Sequence, residues 1–367
     1  MARTGKQTWI IGLGEARSAP KRDDLAINEL AWEAISPALE DAGVALSQIT
    51  GAATASQDFW DGRTISSMNV NELVGGTTGS EAKVAADGAQ ALAYAAARIA
   101  DDDQHLNLVL AHAKESQGDP HAIEIAAFDP FFERQLDPDE TVLAGLQAQQ
   151  LYATGEFTPQ HAAEVLAACR SRSEVLEHIT AEQVLASPLS ASPLHELDRA
   201  PFIDAAAALV VCSDSMRQAL KAGGVRVAAT SSRTSAYWSQ RESLHEAPLA
   251  GQAAQEALAL AGWSIDDVDY MELNTPYSTQ QLIVAKALGL GGGEELVRRL
   301  RSDAAINPSG GWLAGAAGGV AGLRSVVRMT RLLRQRPSRA LIYSTTGLCL
   351  QSHHIVLLES SAEEVSR

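Results

Sequence analysis

The feature that most constrains this 367-residue chain is that it repeats itself. Ala38-Leu39, Ala42-Gly43 and Ile49 return 219 residues later as Ala257-Leu258, Ala261-Gly262 and Val268, and no gap is needed to align them. Each copy sits in the same order of elements. Thr8 to Ile11 running into Gly12-Leu13-Gly14 predicts a buried strand ending in a glycine turn, and Leu25 to Ala42 carries apolar residues at helical spacing before Gly43. The second half offers a strand from Val225 to Ala229 and a helix through Ala254 to Ala261, closed by Gly262. Each half then continues with a small-residue helix and an apolar strand: Val84 to Ile99 with Leu106 to Ala111, and Gly315 to Leu333 with Arg339 to Tyr343. A constant offset combined with a repeated element order predicts a duplicated α/β chain, with helices covering both faces of parallel-rich sheets.

Between the halves, about Gln117 to Pro201, the composition turns to helix formers punctuated by the proline turns at Asp129-Pro130 and Asp137-Pro138. This reads as an insertion with amphipathic helices over Glu140 to Thr154 and Thr158 to His178, either a lid that shapes a cleft or a packing module. The expected organisation is an N-terminal half over 1–116, an inserted, mostly helical domain over 117–200, a return to the first half over 201–224, and a C-terminal half over 225–367.

Charge and cysteine content narrow the partners. Lys plus Arg number 29 against 45 Asp plus Glu, a net charge of −16, which opposes nucleic acid and anionic lipid as partners. The longest wholly apolar stretch, Ala205 to Cys212, is far short of the ~20 residues that span a bilayer. No charged-then-apolar leader pattern opens the chain, so no membrane span and a cytoplasmic location are expected. Cys169, Cys212 and Cys349 are scattered, giving neither a disulfide framework nor a zinc motif, and no metal is expected. His353 and His354 are neighbours on a strand, so they point to opposite faces and do not share a metal.

Three glycine-rich passages differ in information. Gly12-Leu13-Gly14 lacks the third glycine of a dinucleotide fingerprint, since Arg17 stands there, and Gly291-Gly292-Gly293 reads as a helix end and connection. The third, Asn307-Pro308-Ser309-Gly310-Gly311 running into Gly315-Ala316-Ala317-Gly318-Gly319 and Gly322, packs glycine densely before a helix, where backbone and ligand can approach closely. With the upstream Asp266 to Asn274, it resembles the C-terminal half of thiolases. The sterol-carrier-protein type and its thiolase-like relatives, named as acetyl-CoA acetyltransferases among others, are the nearest branch. Leu136 to Thr141, Val184 to Pro188 and Pro201 to Ala208 are similar to that branch's loop domain. The resemblance covers the whole chain and implies a five-layered α/β/α/β/α fold.

It also implies where chemistry should sit, and there the chain departs from the pattern. The family's nucleophilic cysteine falls on Ala85 in Val84-Ala85-Ala86-Asp87-Gly88, and the histidine of its Gly-His-Pro motif falls on Ala316. Asn274 stands where the family's Asn-Glu-Ala-Phe sequence begins, and the Cys-x-Gly motif is reversed as Gly347-Leu348-Cys349. Acyl-cysteine chemistry is therefore not expected, and two readings remain.

One is a carbon-carbon lyase performing retro-aldol cleavage of a β-hydroxyacyl-CoA, which needs a base and oxyanion donors but no nucleophile. Some thiolase-like proteins of this kind are understood to use tyrosines and a small OB-fold partner. Its candidate catalytic residues here are Asn274, Tyr277, Tyr343 and Cys349, with Asn307, Ser309, Gly310 and Tyr237 binding substrate. The other reading is a non-catalytic acyl-CoA or lipid binder, or a degenerate accessory subunit of an active thiolase. Both take a coenzyme A thioester as substrate or ligand and require no further cofactor. A homodimer or thiolase-like heteromer is expected in either case.

Overall fold

The computed structural model describes residues 7–62, 65–76, 79–101 and 106–361. The reading of the N-terminal leader falls partly on residues 1–6, outside the described residues. The strands are β1 (Thr8–Glu15), β2 (Gly51–Ala55), β3 (Ser80–Val84), β4 (Leu106–Lys114), β5 (Leu189–Ala191), β6 (Leu194–His195), β7 (Asp204–Ser213), β8 (Val225–Thr234), β9 (Tyr270–Leu273), β10 (Ser338–Thr346) and β11 (Ser352–Ser360). The helices are α1 (Ile27–Ala42), α2 (Gly88–Ala100), α3 (Pro120–Ala126), α4 (Glu140–Ala153), α5 (Pro159–Arg170), α6 (Ala181–Ala186), α7 (Asp214–Leu220), α8 (Pro248–Ala261), α9 (Ser278–Ala287), α10 (Gly293–Ser302) and α11 (Ala321–Leu333).

The repeat in sequence becomes a mirrored strand order. Nine strands join in the order β3-β2-β4-β7-β1-β8-β11-β10-β9, and β5 and β6 form a separate hairpin. The centre is a short antiparallel seam between the first strands of the two halves, pairing Thr8 with Val227, Trp9 with Arg226 and Ile10 with Val225. Outward from the seam, one half runs β1-β7-β4-β2-β3 and the other β8-β11-β10-β9. Helix α1 covers β1, β7 and β4 on one outer face, and α8 covers β8 and β11 on the other. Between the half-sheets α2 and α11 pack on each other and reach strands of both halves. The layering is thus the expected α/β/α/β/α, with a continuous core through Leu92, Val109, Leu209, Leu323, Val326 and Ile342.

The two helix ends marked by the repeat are equivalent, since Gly43 and Gly262 both take left-handed backbone, at φ 65° and 74°. Gly12 and Gly14 serve packing of β1 on α1, because a Cβ on Gly14 would lie 1.8 Å from the Ala34 carbonyl oxygen.

Three elements differ from the sequence reading. The helix expected from Val84 begins at Gly88, because Asp87 accepts from the Ala89 N–H and caps it, while Val84 closes β3. The helix expected to reach His178 stops at Arg170. There Arg172 and Ser173 turn away to bind carbonyls of the 306–314 segment, and Ser173 Oγ accepts from the N–H groups of Val175 and Leu176. The helix expected from Gly315 starts at Ala321, since Gly315 and Gly319 take φ of 99° and 79°.

Among the described residues, no helix is long and apolar enough to cross a membrane. No group of three or more His, Cys, Asp or Glu is arranged among them to hold a metal ion.

Candidate active site

Residues 117–200 and the elements on either side of them enclose a cavity of about 280 Å³. The segment 117–200 supplies Ile123, Glu124, Ala127, Glu140 and Arg199, and the glycine-rich strap that follows α10 supplies Trp312, Gly318 and Gly319. The turn between β10 and β11 closes it with Thr345, Thr346, Gly347 and Leu348. Two of its walls are aromatic, with the rings of Trp60 and Phe202 4.9 Å apart. Among the described residues, no cysteine or histidine lines this cavity.

Its charged groups are three carboxylates, Glu115, Glu124 and Glu140, and one guanidinium, Arg199. Glu115, directly after the buried β4, accepts from the Ile203 N–H at 2.8 Å and from the Gly318 N–H at 2.7 Å. Burial pushes its pKa up to about 8, against the pull of those two donors. Glu140 at the start of α4 is raised to about 7, again by burial, with Arg199 opposing and Glu124 assisting. Arg199 pairs with Glu124, lies 3.9 Å from Glu140, donates to Thr141 Oγ1 at 3.2 Å and stacks 4.5 Å over the Phe202 ring. Tyr237 donates to Glu133 Oε2 at 2.5 Å, and burial followed by that bond pushes its hydroxyl up to about 12. The phenol stays neutral at physiological pH, with its one proton on the Glu133 bond.

The structure distributes the residues singled out in the sequence unevenly about this cavity. Tyr237 lines it. Asn274 does not; its amide donates to the Tyr343 carbonyl at 2.9 Å and its Oδ1 accepts from Ser325. Tyr277 and Tyr343 are both fully buried, 0% exposed, with their hydroxyls on Thr141 Oγ1 at 3.0 Å and His353 Nδ1 at 2.9 Å, and burial raises both above the ordinary phenol range. Cys349 is buried among Phe128, Leu143 and Leu244, and burial pushes its thiol up to about 12. These four side chains stand behind the cavity wall and do not converge on one point within it.

Asn307, Ser309 and Gly310 hold the strap. Asn307 Oδ1 accepts from the Leu273 N–H at 2.7 Å, Ser309 Oγ donates to Glu272 Oε1 at 2.8 Å, and Gly310 at φ 78° packs on the Cys169 carbonyl. Ala316 is buried in the strap just before Gly318. Ala85 is exposed in the turn between β3 and α2, whereas its neighbour Ala86 is buried beside Gly319. Asp87 is sealed in the interior, where Gly322 N–H and Ser344 Oγ each donate to it at 2.9 Å. Burial raises its pKa despite these bonds.

Sequence reasoning missed Glu115, Glu140 and Arg199. The signal for the first was present, since a carboxylate immediately after nine core-strand residues has no solvent-exposed reason to be there.

A two-fold repeated five-layer α/β architecture, with its cavity where the glycine strap meets the insertion, defines a thiolase fold. Residues 226–356 match the family model described as thiolase, C-terminal domain. An acetyl-CoA acetyltransferase of Methanothermobacter thermautotrophicus is 30% identical over 149 residues, which cover 38% of this chain and 39% of that protein, so the chain spans about two fifths of this relative's length. The solved structure described as an Ltp2-ChsH2(DUF35) aldolase superposes with a TM-score of 0.79 at 18% identity, covering 97% of this chain and 99% of that one. A monomeric SCP2-thiolase like protein type 1 from Mycobacterium smegmatis gives 0.76 at 18% identity, over 100% of this chain and 81% of its own. Residues 226–356 thus match the thiolase C-terminal domain, and the chain as a whole shares the thiolase fold.

Proposed function

We propose that this protein binds an acyl-CoA and cleaves a carbon-carbon bond of a β-hydroxyacyl-CoA by retro-aldol chemistry, with no acyl-cysteine. The observation that carries the reading is the cavity lining: among the described residues it offers titratable carboxylates and glycine backbone, with no cysteine or histidine. The reaction asks for a base on the β-hydroxyl. As that proton leaves, the Cα–Cβ bond breaks, an aldehyde or ketone departs, and the electron pair moves into the thioester as an enolate that is then protonated at Cα. Glu115, with a pKa of about 8, is matched to accept and return such a proton near neutrality. Gly319, left-handed and with its N–H bonded to no described group, is the donor available to the thioester oxygen, while the Tyr237 hydroxyl, whose one proton goes to Glu133, lines the cavity as an acceptor.

A partner protein belongs to this reading. Phe131, Phe132 and Leu136 are each about three-quarters exposed or more on the loop between α3 and α4. Glu133 of that loop holds Tyr237 at the cavity. The solved neighbour described as an Ltp2-ChsH2(DUF35) aldolase pairs two proteins in its own description, and a small OB-fold partner here would cover these side chains. A second copy of the chain would pair at β3, which has a single ladder neighbour in the sheet among the described residues.

One observation favours the binding-only alternative: both Glu115 oxygens already accept backbone N–H bonds, as a purely structural carboxylate would. Incubation with a panel of β-hydroxyacyl-CoA esters, with and without candidate OB-fold partners, separates the two. Release of an aldehyde or ketone is expected. Retained CoA binding with no product under any pairing supports the non-catalytic binder or accessory subunit.

A further inference from the structure

A second groove, of about 630 Å³, lies against Pro308 and Ser309 at the start of the glycine strap and shares no lining residue with the cavity. Five arginines line it, Arg17, Arg172, Arg324, Arg328 and Arg331, against three acidic residues, Glu15, Glu33 and Glu174. In a chain of net charge −16, a local excess of positive charge is out of character with the rest of the surface.

The arginines are not neutralised by their neighbours. One carboxylate, Glu15, serves three guanidiniums, with Arg324 Nε at 2.6 Å, Arg328 Nη2 at 3.1 Å and Arg331 Nη1 at 3.0 Å. The three lie four and then three residues apart on α11, along one face of the helix. Arg328 also reaches Glu174 at 2.9 Å, and Glu174 is largely exposed. Glu33 is already bound by Arg22 at 2.9 Å. Arg172 meets only carbonyl oxygens, those of Ile306, Asn307 and Asp303. The Arg17 guanidinium bonds no described residue. Ser18 lines the same groove, and its buried hydroxyl has no partner among the described residues. Burial and the charge of Arg328 together lower the pKa of Arg324, as crowding of like charges does.

The geometry points to a binding site for a doubly charged oxyanion in this groove, either free phosphate or the phosphoryl end of a larger molecule, held chiefly by Arg17, Arg331 and the Ser18 hydroxyl. Guanidinium forks match phosphoryl oxygens in both charge and shape. The strap is anchored here by Arg172 and by Arg324 Nη1 on the Gly315 carbonyl at 2.5 Å, and the groove has no lining residue in common with the cavity, so the site does not depend on the lyase reading.

The test is calorimetric titration of inorganic phosphate and, separately, adenosine 3′,5′-bisphosphate into the full chain at constant ionic strength. The same titrations are run on Arg17→Ser/Arg331→Ser, whose side chains are at or near the surface, with circular dichroism confirming its fold. Saturable binding of either anion, weakened at least tenfold in the double variant, is expected, and binding of the bisphosphate alone assigns the phosphoryl group to a larger ligand. If the double variant fails to fold, Arg17→Ser alone is titrated, and the same direction of loss is expected. Absence of saturable binding to the unaltered chain, or equal affinity in a folded variant, overturns the site.

Discussion

Glu115 and Gly318, 203 residues apart in the chain, are joined by a 2.7 Å hydrogen bond from the Gly318 N–H to Glu115 Oε1. It ties the end of the first half's core strand to the glycine strap of the second half, at the cavity they share. A side chain on Gly318 would press on both Glu115 and Trp312, at 3.0 and 3.1 Å, so the glycine lets the carboxylate reach the strap. Under the retro-aldol reaction proposed above, Glu115→Gln preserves shape but removes the base. Its kcat for carbon-carbon cleavage is expected to fall at least 100-fold while CoA affinity stays within a few-fold, on the scale of general-base catalysis. In the unaltered protein kcat should rise with pH up to about 8 and then level off. A rate unmoved by the substitution would remove Glu115 from the chemistry.

The same residue fixes a pH dependence of stability. Burial raises Glu115 to about 8 and Glu140 to about 7, so between the ordinary carboxylate range and those values the folded chain holds protons that the unfolded chain has released. Stability contributed by the protonated forms is complete at low pH and is lost as pH rises through that window, with a slope of at most ~1.4 kcal/mol per pH unit for each group. Urea unfolding at pH 5, 7 and 9 should show this decline, and Glu115→Gln should flatten it. A Glu115→Gln curve parallel to that of the unaltered chain would show the carboxyl to be ordinary.

Tyr343→Phe and Tyr277→Phe each remove a hydroxyl from a sealed hydrogen bond, to His353 and Thr141 respectively. Each is expected to lower stability by about 1 kcal/mol. Catalytic rates should stay within about twofold, since neither hydroxyl reaches the cavity. Loss of activity beyond tenfold in a stably folded Tyr343→Phe would return that tyrosine to the catalytic role its sequence context suggested.

How far the sequence could be read follows from these positions. The repeat was legible because Gly43 and Gly262 end equivalent helices, and a glycine in left-handed backbone leaves a fixed mark. The family resemblance was legible because the strap from Asn307 to Gly322 is constrained by close packing, residue by residue. The site was less so. Asn274, Tyr277, Tyr343 and Cys349 lie within a residue or two of positions that do line the cavity, such as Pro276, Thr345 and Leu348. Proximity in sequence cannot tell which way a side chain points. Glu115 meets the strap, and Arg199 the cavity, only through the tertiary fold, so no local motif announces them.

Asp87 and Gly322 provide the sharpest test of the packing between the two central helices. The carboxylate caps α2 and simultaneously accepts from the Gly322 N–H at the start of α11, fastening the two central helices to each other. A Cβ on Gly322 would lie 1.9 Å from Asp87 Oδ1 and 2.9 Å from Ser344 Oγ, so it cannot be accommodated without moving that anchor. Gly322→Ala is expected to cost about 3 kcal/mol by overpacking, read as a fall in the urea midpoint, with the far-ultraviolet spectrum retained wherever the chain still folds. Asp87→Ala in the Gly322→Ala background should recover part of that loss, because it removes the clashing carboxylate. A double variant less stable than either single variant would show that the two residues do not share one packing constraint.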